Sequence, residues 1–153
     1  MGYHHLKVVI RMSKIAFIFP GQGSQYIGMG NDFYDNFEEA RKVYEETNNA
    51  LSMDLSELIF SGNEENLRKT ENTQPAILAT SIAMLRCLEK EGISAEYTAG
   101  LSLGEYSSIV YGGGIDFPEA VKIVQARGRF MQEAVALGVG GMVAILGLEE
   151  SKL

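Results

Sequence analysis

Cysteine, histidine, proline and positive charge are all scarce in this sequence. Cys87 is its single cysteine, so no internal disulfide can form. It stands among Ile82, Ala83, Met84, Leu85 and Leu88, a setting that reads as a buried, inert thiol. With 13 Lys and Arg against 20 Asp and Glu, the net charge is −7. No basic surplus is left to neutralise phosphates, which argues against nucleic acid as a partner. Acidity does not exclude an acidic partner, because a small local basic patch can still dock one. No apolar run approaches the ~18 residues that span a bilayer. The stretch 1–11 has too short an apolar core for a secretory signal, so a cytoplasmic protein away from membranes is expected. The two histidines are His4 and His5. Adjacent histidines on a loose terminus are far more often incidental than ligands, and no metal site is expected.

What is present suits one globular domain with its own core: 46% of the 153 residues are hydrophobic and 22% charged. Met12-Ser13-Lys14 precedes a clean apolar run, so residues 1–11 read as an N-terminal extension upstream of the true start. Ile15-Ala16-Phe17-Ile18-Phe19, ended by Pro20-Gly21, has the pattern of a strand buried on both faces of a parallel sheet. A glycine-rich turn follows (Gly21, Gly23, Gly28, Gly30), then a helical stretch with Phe33, Phe37, Ala40 and Tyr44 at three- and four-residue spacing. Short helices are expected at Asp54-Leu55-Ser56-Glu57 and over 64–69. Thr73-Gln74-Pro75 opens a stronger helix that reaches Glu91 and stops at Gly92, with proline early and glycine just past the end. Apolar almost all round, it should be buried. A short strand near Tyr97-Thr98-Ala99 turns sharply into another helix, which Gly112-Gly113-Gly114 breaks. Asp116-Phe117-Pro118-Glu119 resembles a capping box for a helix running to about Ala136. Met142-Val143-Ala144-Ile145-Leu146 is a last apolar run. Alternation of strands and helices means an α/β fold with a mainly parallel sheet.

Three segments carry chemistry. Gly100-Leu101-Ser102-Leu103-Gly104 fits the nucleophile-elbow pattern, in which a serine is pushed out on a strained strand-to-helix turn. The pattern alone is weak among 17 glycines, and a plain serine in a tight turn is the alternative. Its place between a separately read strand and helix strengthens it. Pro20-Gly21-Gln22-Gly23-Ser24-Gln25 is a glycine turn after a first strand, but Tyr26 replaces the third glycine of a dinucleotide fingerprint. No Lys-Ser/Thr pair follows to make a phosphate loop. Such a turn can instead aim backbone N–H groups at an oxyanion beside the elbow. Arg127 is the third. At ~100° per residue, Phe117, Val121, Val124, Gly128, Met131 and Val135 share one helix face, with Arg127 at its edge. Lys122, Arg129 and Glu133 point away. An arginine beside the core needs an anionic partner, either a structural carboxylate or one on a substrate; periodicity alone favours the structural one.

Taken together, the motifs resemble the malonyl-CoA:acyl carrier protein transacylase family. They are Phe17-Ile18-Phe19-Pro20-Gly21-Gln22-Gly23-Ser24-Gln25, Thr73-Gln74-Pro75-Ala76, Gly100-Leu101-Ser102-Leu103-Gly104-Glu105-Tyr106-Ser107, and Arg127-Gly128 with Phe130-Met131-Gln132-Glu133-Ala134. They run in the family's order through nearly the whole chain after Met12. The resemblance implies a ping-pong reaction of fatty acid biosynthesis that needs no cofactor. Ser102 would attack the thioester of malonyl-CoA, and the phosphopantetheine thiol of acyl carrier protein would take the group from the O-malonyl serine. The backbone N–H groups of Gln22 and Leu103 would form the oxyanion hole. Arg127 would hold the malonyl carboxylate through a two-pronged contact that suits a guanidinium, and Gln74 would line the same pocket. On this reading residues 12–139 are the N-terminal part of the α/β acyltransferase domain, and 140–153 begin a small ferredoxin-like domain with its first strand.

The sequence departs from that pattern twice. Leu101 stands where members often carry histidine, at a position facing away from the chemistry. More seriously, the family's base is a histidine well downstream of the elbow, and no histidine follows His5. Loss of such a base costs about 10⁶ in rate, roughly 8 kcal/mol, so the 153 residues alone are expected to be nearly inactive. Two alternatives stand beside the transacylase. A hydrolase of lipase or patatin type shares the elbow and the oxyanion loop but does not need Arg127. A truncated remnant, or one half of a split enzyme, needs no activity of its own. An exposed sheet edge in such a piece would promote self-association.

Overall fold

The computed structural model describes residues 14–134 together with 147 and 149. The extension at 1–11 with His4 and His5, and the strand expected at 142–146, lie outside the described residues. Two strands, β1 (Ala16–Phe19) and β2 (Tyr97–Gly100), pair in parallel with Ala16 opposite Tyr97 and Phe19 opposite Gly100. A parallel pair needs a long crossover, and here five helices make it: α1 (Asn31–Asn36), α2 (Glu38–Leu51), α3 (Leu55–Ser61), α4 (Glu64–Leu67) and α5 (Thr70–Lys90). After β2 come α6 (Gly104–Tyr111) and α7 (Phe117–Ala134). The α/β class with a parallel sheet is as expected.

The core is built around α5, which packs against α2 on one side and α7 on another. Its apolar residues occupy the whole circumference, and Ala76, Leu78, Ala79, Ile82 and Ala83 are fully buried. Cys87, on the same helix, is buried as well. The helix begins one turn before the expected Thr73. Thr73 has the residue type of an N-cap, but its hydroxyl instead donates to the carbonyl of Leu67 at 2.6 Å and ties α4 to α5. Pro75 therefore sits inside the helix, where it removes one i→i−4 bond near the first turn.

The stretch around Phe33 and Tyr44 is split at Phe37, whose extended backbone ends α1 and starts α2. Phe33 and Phe37 stack across this break at 5.7 Å. Asp54 caps α3, its carboxylate accepting from the Glu57 N–H at 3.0 Å. Asp116 occupies the N-cap position of α7, its carbonyl accepting from the Ala120 N–H at 2.9 Å. The side-chain half of the expected capping box does not form among the described residues.

One expectation for β1 is not met. Its two faces are not both buried: Phe17 packs edge-on against Tyr111 of α6 at 5.2 Å, while Ile18 is 73% exposed. Ile18 borders an open groove of about 330 Å³ between β1 and α5, lined also by Thr80, Met84 and Leu88. The described sheet has two strands, too few to cover both faces. Among the described residues no helix is long and apolar enough to cross a membrane.

Candidate active site

The chain leaves β2 through a turn that the local sequence forces. Leu101 extends the ladder, its N–H donating to the Phe19 carbonyl at 3.2 Å. Ser102 then takes a left-handed backbone with φ 52°, a region that residues with a Cβ seldom enter. The turn closes as Gly104 N–H donates to the Leu101 carbonyl at 2.9 Å and Glu105 N–H to the Ser102 carbonyl at 3.2 Å. Gly104 must be glycine: a Cβ there would lie 2.4 Å from the carbonyl oxygen of Phe19, so α6 packs backbone-on-backbone against the end of β1. Leu103 is fully buried and anchors the turn from below, which leaves Ser102 on the surface. This is the elbow geometry that the pattern implied.

The glycine loop after β1 lies against the same turn. A Cβ on Gly21 would come within 2.6 Å of the Leu101 carbonyl oxygen. The loop is shaped by its own side chains: Ser24 Oγ donates to the Gly21 carbonyl at 2.9 Å, and Gln25 Oε1 accepts from the Gly23 N–H at 2.8 Å. Gln22 Nε2 donates to Thr70 Oγ1 at 3.5 Å, at the first residue of α5. Neither the Gln22 N–H nor the Leu103 N–H meets an acceptor among the described residues. Two backbone donors are thus free on the two segments that flank Ser102.

Arg127 reaches Ser102 from α7. Its Nη2 donates to Ser102 Oγ at 3.2 Å and its Nη1 to Gln74 Oε1 at 2.8 Å, while the guanidinium lies 5.7 Å from the centre of the Tyr106 ring. The four ion pairs among the described residues are Lys42–Glu38, Arg68–Glu64, Arg86–Glu89 and Lys90–Glu39. None uses Arg127, so among the described residues the structural carboxylate that periodicity favoured is absent. Lys122, Arg129 and Glu133 face solvent, as the helical spacing predicts. Gln74 is 0% exposed and spends its other end on Met131, Nε2 lying 3.1 Å from Sδ.

Ser102, Gln22 and Arg127 therefore converge on one surface region, with the buried side chains of Leu103 and Gln74 behind it. Alongside it, Ile123, Ala126, Phe130, Met131 and Ala134 line an open apolar hollow next to Arg127. Sequence reasoning missed three contributors. Tyr106 stands four residues after Ser102, one turn along α6, and Met131 four after Arg127 on α7, so helical spacing could have found both. Nothing local marked Thr70. Among the described residues there is no histidine, and no group of three His, Cys, Asp or Glu comes together as a metal site.

Comparison with known proteins shows the family. Residues 16–153 match the family described as acyl transferase domain. The chain belongs to that family. As an acyl transferase domain it is 51% identical over 142 residues to the malonyl CoA-acyl carrier protein transacylase of Bacillus subtilis (strain 168), covering 93% of this chain and 45% of that protein. Among solved structures it is similar to malonyl CoA-acyl carrier protein transacylase from Clostridium perfringens, with 50% identity, a TM-score of 0.85, and 92% of this chain against 44% of the other. A malonyl-transacylase solved in complex with its type II PKS acyl-carrier protein matches with a TM-score of 0.78 and 45% identity, over 81% of this chain and 40% of that one. The acyl transferase domain described here spans about half the length of the relatives it matches.

Proposed function

We propose that this chain supplies the nucleophile and the anion-binding half of a cytoplasmic enzyme that moves malonyl groups from malonyl-CoA to acyl carrier protein. The observation that carries the reading is the guanidinium of Arg127, 3.2 Å from Ser102 Oγ and without a carboxylate partner among the described residues. A hydrolase of lipase or patatin type, acting on neutral esters, does not need a positive charge beside its nucleophile. An acyl group with an anionic far end does, because both reacting carbonyl and distant carboxylate must be held at once.

In the first half-reaction Ser102 Oγ bonds to the thioester carbonyl carbon, the C–S bond breaks, and coenzyme A leaves as its thiol with the proton from Ser102. The tetrahedral oxyanion between these events faces the N–H groups of Gln22 and Leu103, each worth roughly 3 kcal/mol in such a role. In the second half-reaction the carrier protein's phosphopantetheine thiol attacks the serine ester, the C–O bond breaks, and the proton returns to Ser102. No histidine follows His5 in the sequence to move these protons from the family's downstream position, so the 153-residue chain alone should turn over slower by about 10⁶.

The test joins this chain to the remaining length of the Bacillus subtilis relative and follows malonyl transfer from malonyl-CoA to holo acyl carrier protein. Transfer abolished by Ser102→Ala and cut at least about hundredfold by Arg127→Ala is expected. A folded fusion that hydrolyses simple esters equally well with Arg127→Ala would instead favour the hydrolase.

A further inference from the structure

We infer that Gln74 is a positioning residue that aims Arg127 and keeps its charge available, and that it does not itself touch the ligand. The inference rests on the proposed binding of an anionic acyl group by Arg127. Gln74 is 0% exposed, and both ends of its amide are engaged on α7, Oε1 by Arg127 Nη1 at 2.8 Å and Nε2 by Met131 Sδ at 3.1 Å. Arg127 and Met131 are four residues apart, so the amide spans one turn of the neighbouring helix.

Only one orientation of this amide satisfies both contacts. Guanidinium can only donate and thioether sulfur can only accept, so Oε1 must face Arg127 and Nε2 must face Met131. With Nη1 held, the planar fork has its direction set, and the Tyr106 ring limits its tilt. Nη2 then arrives at Ser102 Oγ.

The choice of amide over carboxylate also matters. A glutamate at this position would grip Arg127 more tightly but would cancel the charge that an acyl carboxylate needs. A neutral acceptor fixes the guanidinium and leaves it cationic. Gln74 thereby selects for acyl groups that end in an anion, although it lies behind the surface that meets them.

Two readouts on the 153-residue chain test this. The first is binding of sodium malonate by titration calorimetry, with sodium acetate as the control. Gln74→Leu should weaken malonate binding about tenfold, and Gln74→Glu at least as much while the thermal midpoint stays at or above that of the wild type. In an Arg127→Lys background Gln74→Leu should add no further loss. The second readout is rotation of the Arg127 guanidinium by NMR, slow in the wild type and fast in Gln74→Leu. Should Gln74→Leu fail to fold, Met131→Leu, which removes only the sulfur acceptor, should produce a smaller shift in the same direction. Malonate affinity unchanged in Gln74→Glu, or guanidinium rotation unchanged in Gln74→Leu, overturns the inference. If the wild type binds malonate no better than Arg127→Ala does, the proposed function fails, and the NMR readout alone decides the role of Gln74.

Discussion

Replacing Gly128 with alanine sets two physical effects against each other. In an exposed helix, Gly→Ala stabilises by about 1 kcal/mol because glycine loses more backbone freedom on folding. In α7 the new Cβ would lie 2.5 Å from the carbonyl oxygen of Thr70, 2.7 Å from its carbonyl carbon and 2.8 Å from the Cα of Glu71. All three are backbone atoms at the start of α5 and cannot swing aside. Ordinary contact begins near 3.4 Å, so α7 must retreat by about 0.9 Å, the difference between 3.4 and 2.5. Overpacking of this kind costs about 1–3 kcal/mol, and rigid backbone on both sides puts it at the upper end. The net expectation is a loss of about 2 kcal/mol for Gly128→Ala, read from the urea midpoint by circular dichroism. The retreat also reaches the site. Arg127 is the preceding residue, and its 2.8 Å bond to Gln74 bridges the same two helices, so the bond would stretch to about 3.7 Å and cease to be one. Malonate affinity should fall together with stability. A Gly128→Ala chain more stable than the wild type by about 1 kcal/mol would refute the packing argument, because helix propensity would then have won.

Burial pushes the Tyr44 hydroxyl up to about 12 from its ordinary 10, so the folded state favours the protonated form. Stability should be full below pH 10 and fall by about 2–3 kcal/mol as pH rises towards 12, and Tyr44→Phe should remove that portion of the alkaline loss. At neutral pH the same substitution leaves Thr80 Oγ1 without its 3.1 Å partner, which should cost about 1–2 kcal/mol in a urea melt. Asp54→Ala removes the cap of α3 and should cost about 1 kcal/mol. The Glu57 N–H, then the Ser56 hydroxyl, hold the Asp54 carboxyl below its ordinary value, so this contribution is present at neutral pH and is lost as pH falls through the acidic range. An acid-titration curve identical in the variant would count against it. Burial raises the Cys87 thiol, so iodoacetamide at pH 8 should label it only after unfolding; rapid labelling of the folded chain would contradict the packing of α5.

The elements read most securely from sequence are those whose pattern is local. β1, β2 and the turn between β2 and α6 lie where apolar runs meet glycine, and the left-handed Ser102 sits inside its motif. The misses share one cause. Thr73 looked like a helix start because its type suits a cap, but its hydroxyl was claimed by Leu67 on another helix. Phe33, Phe37, Ala40 and Tyr44 carry helical spacing across a break that spacing does not register. Ile18 has the composition of a doubly buried strand residue, yet burial depends on neighbours that the run does not name.

By itself, the sequence determined the α/β class, the serine on its strained turn, the central buried helix and the presence of an arginine at the margin of a buried helix face. Those follow from backbone sterics and from apolar periodicity, which act within a few residues. Tertiary structure alone decided what Arg127 touches. Periodicity favoured a structural carboxylate, and folding brought Gln74 from 53 residues away and Ser102 from 25 residues away instead. A guanidinium's partner is settled by which helices pack together, and the close approach of α5 and α7 at Gly128 lies between residues that no local pattern connects.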